Sequence, residues 1–104
     1  MGSYRSRLDI IADILRVVSQ NAKKTQIMYK ANLSYNVLQR YLRSVTEASL
    51  VEFKAAERWY VLTSKGQEFL EAYREYADTN EHVDRKLLEI RGKKKALEQL
   101  CSSR

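Results

Sequence analysis

Proline is missing from all 104 residues, and glycine occurs only three times, as Gly2, Gly66 and Gly92. Without proline no interior position forces a kink or stops a helix by sterics. Three scattered glycines form no phosphate-cradling loop. Cysteine and histidine occur once each, as Cys101 and His82. A lone thiol makes no internal disulfide, which fits a reducing, intracellular setting. Neither a zinc cluster nor a Cys/His nucleophile pair can be assembled within one chain; His82 reads as a solvated helix residue. Asp9 and Asp13, at i and i+4, are the best carboxylate pair for acid/base work, and they read as helix-surface residues. No enzyme, no metal site, no cofactor and no small-molecule substrate are expected. No run approaches the roughly 18 apolar residues of a membrane span, and the first residues lack the apolar core of a signal peptide. Met1-Gly2-Ser3-Tyr4-Arg5-Ser6 fits an N-myristoylation pattern only formally, and Cys101-Ser102-Ser103-Arg104 is polar where a prenylation box needs aliphatic residues. No membrane partner is expected.

What is present is positive charge, unevenly placed. The net charge is +6. Residues 1–66 hold 11 Lys and Arg against 5 Asp and Glu, whereas residues 67–104 hold 8 against 8. The whole excess sits on the first part, and a basic field of that kind attracts polyanions, chiefly nucleic acid. An anionic membrane is the weaker partner, because no segment joins a basic face to exposed large apolar residues.

The segment from Ser34 to Glu47 carries two stripes on one expected helix. Val37, Leu38, Tyr41, Leu42 and Val45 recur at helical spacing and form a face to be buried. Asn36, Gln39, Arg40 and Arg43 share the opposite face. Asn and Gln side chains fork onto adenine, and Arg onto guanine or the backbone. Ser34 stands where an N-cap belongs. The bland alternative is a solvated face of an ordinary core helix.

The context favours the reading face. A first helix is expected from Ser6 to Val18, with an apolar stripe of Leu8, Ile11, Ile14 or Leu15, and Val18. Asp9 and Asp13 lie on its other face. Ser19-Gln20-Asn21-Ala22 reads as a turn. Thr25 caps a short second helix through Ala31 that buries Ile27, with Met28 or Tyr29 beside it. Asn32-Leu33 turns into the Ser34 helix, Asn32 tolerating a left-handed conformation. Two helices joined this way make a helix-turn-helix. Two β-rich segments follow, Leu50–Phe53 and Trp59–Leu62, with Lys54-Ala55-Ala56-Glu57-Arg58 between them as a loose loop. Ser49 must stop the reading helix in place of glycine. A hairpin after a helix-turn-helix is the order of a winged helix. Trp59 and most tyrosines read as core or coiled-coil residues, Tyr29 and Tyr35 as surface contacts.

From Thr63, a good N-cap, the chain reads as one helix to about Gln99. Phe69, Tyr73, Tyr76, Asn80, Val83, Leu87, Ile90, Lys94, Leu97 and Cys101 are spaced 4, 3, 4, 3 as heptad a/d positions, the expected dimerisation seam. A helix of about 35 residues rises roughly 50 Å, and such a stripe needs a partner. Gly92 costs about 1 kcal/mol in a helix interior and is a candidate bend. Residues 68–84 contain 6 acidic and 1 basic residue, residues 85–104 contain 7 basic and 2 acidic ones. Two antiparallel copies set acidic half against basic half, whereas parallel ones stack like on like. Folding the stripe back near Arg85 pairs each a position with a d position.

Several runs resemble the small dimeric winged-helix DNA-binding proteins of Sulfolobus and related archaea, a chromatin-associated family. They are Ser6-Arg7-Leu8-Asp9-Ile10-Ile11-Ala12-Asp13-Ile14-Leu15, Ile27-Met28-Tyr29-Lys30-Ala31-Asn32-Leu33-Ser34-Tyr35, Leu38-Gln39-Arg40-Tyr41-Leu42 and Leu62-Thr63-Ser64-Lys65-Gly66-Gln67-Glu68-Phe69-Leu70. The resemblance covers about residues 5–100. It implies a mainly α fold with a small β-hairpin: a winged helix-turn-helix over residues 1–66 and a long helix over 67–104 that forms an antiparallel coiled-coil homodimer. It also implies abundant binding of double-stranded DNA with weak sequence specificity, in a chromosome-organising or transcription-regulating role, cytoplasmic and nucleoid-associated. On this resemblance Tyr35, Asn36, Gln39, Arg40 and Arg43 become recognition-helix contacts, and Lys54 and Arg58 wing contacts; Ser34, at the start of that helix, is a further expected DNA-binding residue. Lys23, Lys24 and Lys30 are expected phosphate contacts. The Ala48-Ser49 corner departs from the Asn-Gly of the pattern. The alternative function is a winged-helix protein-interaction module that pairs through its coiled coil.

Overall fold

The computed structural model describes residues 4–102, so Gly2 and Ser3 of the myristoylation pattern lie outside the described residues. The element order is α1 (Arg7–Val18), α2 (Lys24–Lys30), α3 (Tyr35–Glu47), β1 (Val51–Lys54), β2 (Trp59–Leu62) and α4 (Ser64–Leu100). The chain divides into two units, Met1–Tyr73 and Arg74–Arg104. The first therefore runs past residue 66 and takes in the beginning of α4.

In the first unit α1 starts at a reciprocal cap. The Ser6 hydroxyl accepts from the Asp9 N–H, and the Asp9 carboxylate accepts from the Ser6 N–H at 2.9 Å. Ile11, Ile14, Leu15 and Val18 are buried, both Ile14 and Leu15 completely. Leu8, expected in that stripe, stands exposed on the first turn, short of the core that begins at Ile11. Ile27 and Ala31 of α2 and its end, Leu38, Leu42 and Val45 of α3, and Leu50 and Val51 complete one core. Side chains of this size contribute about 1.5–3 kcal/mol each on full burial. No charged or polar residue is buried among the described residues.

The second helix differs from expectation at its start. Its N-cap is Lys23, not Thr25. Asn21 is left-handed (φ 57°), and Ala22 forms a β-bridge with Tyr60, its N–H donating to the Tyr60 carbonyl at 3.1 Å and its carbonyl accepting at 2.8 Å. That bridge holds the chain extended until Lys23, and the Gln26 side chain then accepts from the Lys23 N–H at 2.8 Å. Met28 packs against the core while Tyr29 stays exposed. At the other end Asn32 is left-handed (φ 55°), as the turn requires.

Ser34 caps α3 by accepting from the Val37 N–H. The helix ends as expected without glycine: Ser49 takes the left-handed conformation (φ 64°), and the Leu50 N–H donates back to the Val45 carbonyl at 2.9 Å. The hairpin pairs Val51 with Leu62 and Lys54 with Trp59, so Lys54 closes β1 instead of opening the loop, and Leu50 precedes the strand. Ala55–Arg58 is a four-residue loop whose left-handed Arg58 (φ 61°) donates its N–H to the Lys54 carbonyl. Thr63 caps α4, its hydroxyl accepting from the Gly66 N–H at 3.0 Å.

In the second unit the chain is helical from Arg74 to Leu100 and continues through Gly92 without a break. Val83, Leu87, Ile90 and Leu97 are exposed. Glu89 is bracketed by Lys86 at 3.5 Å and Lys93 at 3.7 Å, pairs that support a lone helix by tenths of a kcal/mol.

Candidate nucleic-acid interface

The two stripes of α3 separate as their spacing requires. Leu38, Leu42 and Val45 are buried, Val37 and Tyr41 half-buried, and Asn36, Gln39, Arg40 and Arg43 all exposed. Among the described residues none of those four side chains makes a hydrogen bond or ion pair within the chain. Their donors and acceptors are presented to solvent, on a helix fixed underneath by three core side chains.

The turn ahead of this helix is held by a residue the sequence reading passed over. The Arg5 guanidinium donates to the carbonyls of Ala31 (2.6 Å) and Asn32 (2.7 Å), and it pairs with Asp13 at 3.0 Å. Carbonyls left over at the end of α2 are thus satisfied by a cation, which suits the negative end of a helix. Arg16 meets the other Asp13 oxygen at 3.0 Å. The two candidate carboxylates are consumed structurally. Asp9 accepts from the Tyr73 hydroxyl as well as from Ser6, and these hydrogen bonds, Tyr73 first, hold its carboxyl below the usual range. The same bond pushes the Tyr73 hydroxyl up to about 12. Arg16 lies over the Tyr73 ring, 5.5 Å from its centre, and Tyr73 stacks on Phe69. Phe69 packs against the core. Two positions of the expected seam, Phe69 and Tyr73, are therefore engaged within their own chain.

Around α3 the cations differ in freedom. Lys23 and Lys30 are exposed. Lys24 lies over the exposed Tyr35 ring at 4.9 Å, with its ammonium 3.5 Å from the hydroxyl. On the hairpin Lys54 pairs with Glu52 at 3.3 Å, an exposed contact of little energetic weight. Arg58 is exposed at the loop. Phe53 meets the Tyr60 ring at a tilt of 52°, with ring centres 5.0 Å apart, and stays half exposed.

Among the described residues no group of His, Cys, Asp or Glu could hold a metal ion, and no helix is long and apolar enough to cross a membrane. Along the second unit the seam positions Asn80, Val83, Leu87, Ile90, Lys94, Leu97 and Cys101 are exposed, as are His82 and Tyr76.

Comparison with known proteins bears on this geometry. A family model described as winged helix-turn-helix matches residues 4–81. The chain is similar in fold to the crystal structure of Sso10a-2, a DNA-binding protein from Sulfolobus solfataricus, with TM-score 0.69 and 22% identity over 96% of this chain and 100% of that one. Lactococcus lactis ZitR, wild type in complex with DNA, gives TM-score 0.47 and 17% identity over 90% of this chain and 81% of that one. No curated protein matches the chain.

Proposed function

Because the chain belongs to the winged helix-turn-helix family, we propose that it binds double-stranded DNA as a homodimer, in a chromosome-organising or transcription-regulating role with weak sequence specificity. The observation that carries this reading is the exposed, unpaired row of Asn36, Gln39, Arg40 and Arg43 on a helix whose other side is core. An α-helix of this kind fits the major groove, and these side-chain types match base edges and phosphates. Lys23, Lys24, Lys30, Lys54 and Arg58 supply charge around it. The DNA-binding protein Sso10a-2, which shares the fold, agrees with the reading. A cytoplasmic, nucleoid-associated location follows from it.

Dimerisation is proposed through the second unit. Val83, Leu87, Ile90 and Leu97 leave a row of apolar surface uncovered, and a second copy covers it. The acidic-to-basic order of residues 68–104 favours antiparallel pairing.

The test is duplex binding against salt. With about 4–8 phosphates neutralised per dimer, log K should fall with log salt at a slope of roughly −4 to −7. Association that ignores salt, or none with duplex at low salt, would reject DNA as the partner.

A further inference from the structure

The exposed face of α3 has two unlike flanks. On one, Arg40, Tyr41 and Ser44 line a shallow depression together with Arg7, the first residue of α1. On the other, Gln39, Arg43 and Thr46 stand beside Glu47 and Tyr60. Arg40 and Arg43, neighbours on the helix, thus work in different surroundings.

The first flank is cationic and has no counter-charge. Arg7 and Arg40 are exposed, and among the described residues neither side chain makes a hydrogen bond or ion pair. The acidic side chains nearest to Arg7 in sequence are already committed. Asp9 accepts from Tyr73 and Ser6, and Asp13 is held between Arg5 and Arg16. Two guanidinium groups bordering one depression repel each other unless an anion joins them. The other polar side chains there are the hydroxyls of Tyr41 and Ser44, both able to donate. Two planar cationic forks and two hydroxyls suit the non-bridging oxygens of a phosphate better than a base edge, which offers acceptors and donors together.

We propose that Arg7, Arg40, Tyr41 and Ser44 form a clamp for one phosphodiester of the DNA backbone. In this arrangement Arg40 fixes the register of α3 on the duplex, and Asn36, Gln39 and Arg43 are left to meet base edges. The proposal rests on the DNA-binding reading and adds α1 to the interface.

The experiment titrates the protein, its Arg7→Ala, Arg40→Ala and Arg7→Lys variants and the double variant Arg7→Ala with Arg40→Ala with a panel of duplexes of different sequence, across a range of salt. Arg7→Ala and Arg40→Ala should each weaken binding by the same factor on every duplex and make the salt slope shallower by about one. Arg7→Lys should keep the slope of the unaltered protein. The double variant should lose less than the product of the two single losses, since both groups grip one phosphate. Unchanged melting temperatures serve as the folding control, because both side chains are exposed. The clamp is overturned if Arg7→Ala binds like the unaltered protein, or if the loss in Arg40→Ala differs from duplex to duplex. It is also overturned if inorganic phosphate fills the depression at concentrations that leave duplex binding intact, which would make it a free-anion site. Failure of the unaltered protein to bind any duplex would instead remove the DNA reading, and the clamp with it.

Discussion

Gly66 and Gly92 lie on the same helix, and alanine should have opposite effects at the two. A Cβ on Gly66 would stand 2.2 Å from the Leu50 carbonyl oxygen and 2.6 Å from Leu62 Cδ1. The carbonyl has little room to yield, since it accepts from the Thr63 N–H at 3.1 Å and from the Thr63 hydroxyl at 3.0 Å. Either the first turn of α4 backs off and weakens those two bonds, at about 1 kcal/mol each, or Leu62 is displaced at an overpacking cost of about 1–3 kcal/mol. Alanine's better helix propensity returns only about 1 kcal/mol. The net expectation for Gly66→Ala is a loss of roughly 1 kcal/mol. That corresponds to a fall in Tm of about 4–8 °C for a domain of this size. At Gly92 nothing lies within 4 Å of the added carbon, so Gly92→Ala should gain about 0.5–1 kcal/mol. Both variants are compared with the unaltered protein by urea unfolding at one protein concentration, because association shifts apparent stability. A Gly66→Ala midpoint at or above that of the unaltered protein would refute the close approach of α4 to Leu50.

The Tyr73–Asp9 contact sets stability at both ends of the pH scale. Asp9 is held low in the folded state, so its contribution is complete above the ordinary carboxylate range and is lost as pH falls through the depressed value. Tyr73 is raised from 10.0 to about 12, so its contribution is complete below pH 10 and is lost between 10 and 12. Tyr73→Phe should therefore be less stable at neutral pH and converge on the unaltered protein at each extreme; a gap independent of pH in urea midpoints would contradict this. For the proposed coiled coil, Leu87→Asp should give monomers in sedimentation, because a charge in a central layer has no partner there. An unaltered protein that is already monomeric at micromolar concentration would end the dimer proposal. Direction is tested by Val83→Cys or Leu87→Cys, which should cross-link across the two-fold axis; efficient Cys101–Cys101 disulfide formation would indicate parallel helices instead.

Locally specified features were legible in the sequence. Ser34 caps α3 because a hydroxyl at that position meets an unpaired N–H, and Asn32 and Ser49 turn left-handed next to helix ends. The burial of Leu38, Leu42 and Val45 follows from helical spacing alone. Features that depend on distant partners were not legible. The start of α2 at Lys24 is set by Tyr60, which bridges to Ala22 across the fold. Phe69 and Tyr73 continue a heptad in the sequence, yet α1 supplies Asp9 and Arg16 to meet Tyr73. Spacing reports which side of a helix is apolar and is silent on what will cover it. Arg5 gave no signal, because a cation near a chain start resembles any surface charge until the carbonyls of Ala31 and Asn32 are placed beside it. The depression shared by Arg7 and Arg40 joins residues from two helices and had no pattern to betray it.

The bridge between Ala22 and Tyr60 also bears on how this protein can diversify. It fastens the hairpin at Tyr60, and only the pair Lys54–Trp59 and the loop Ala55–Arg58 lie beyond that fastening. Residues added between Ala55 and Glu57 would extend the tip without moving the strands or the start of α2, since the loop is exposed and its closing bond runs from Arg58 to Lys54. Reach and charge at the tip can thus drift from one descendant to another while the globule beneath stays unchanged.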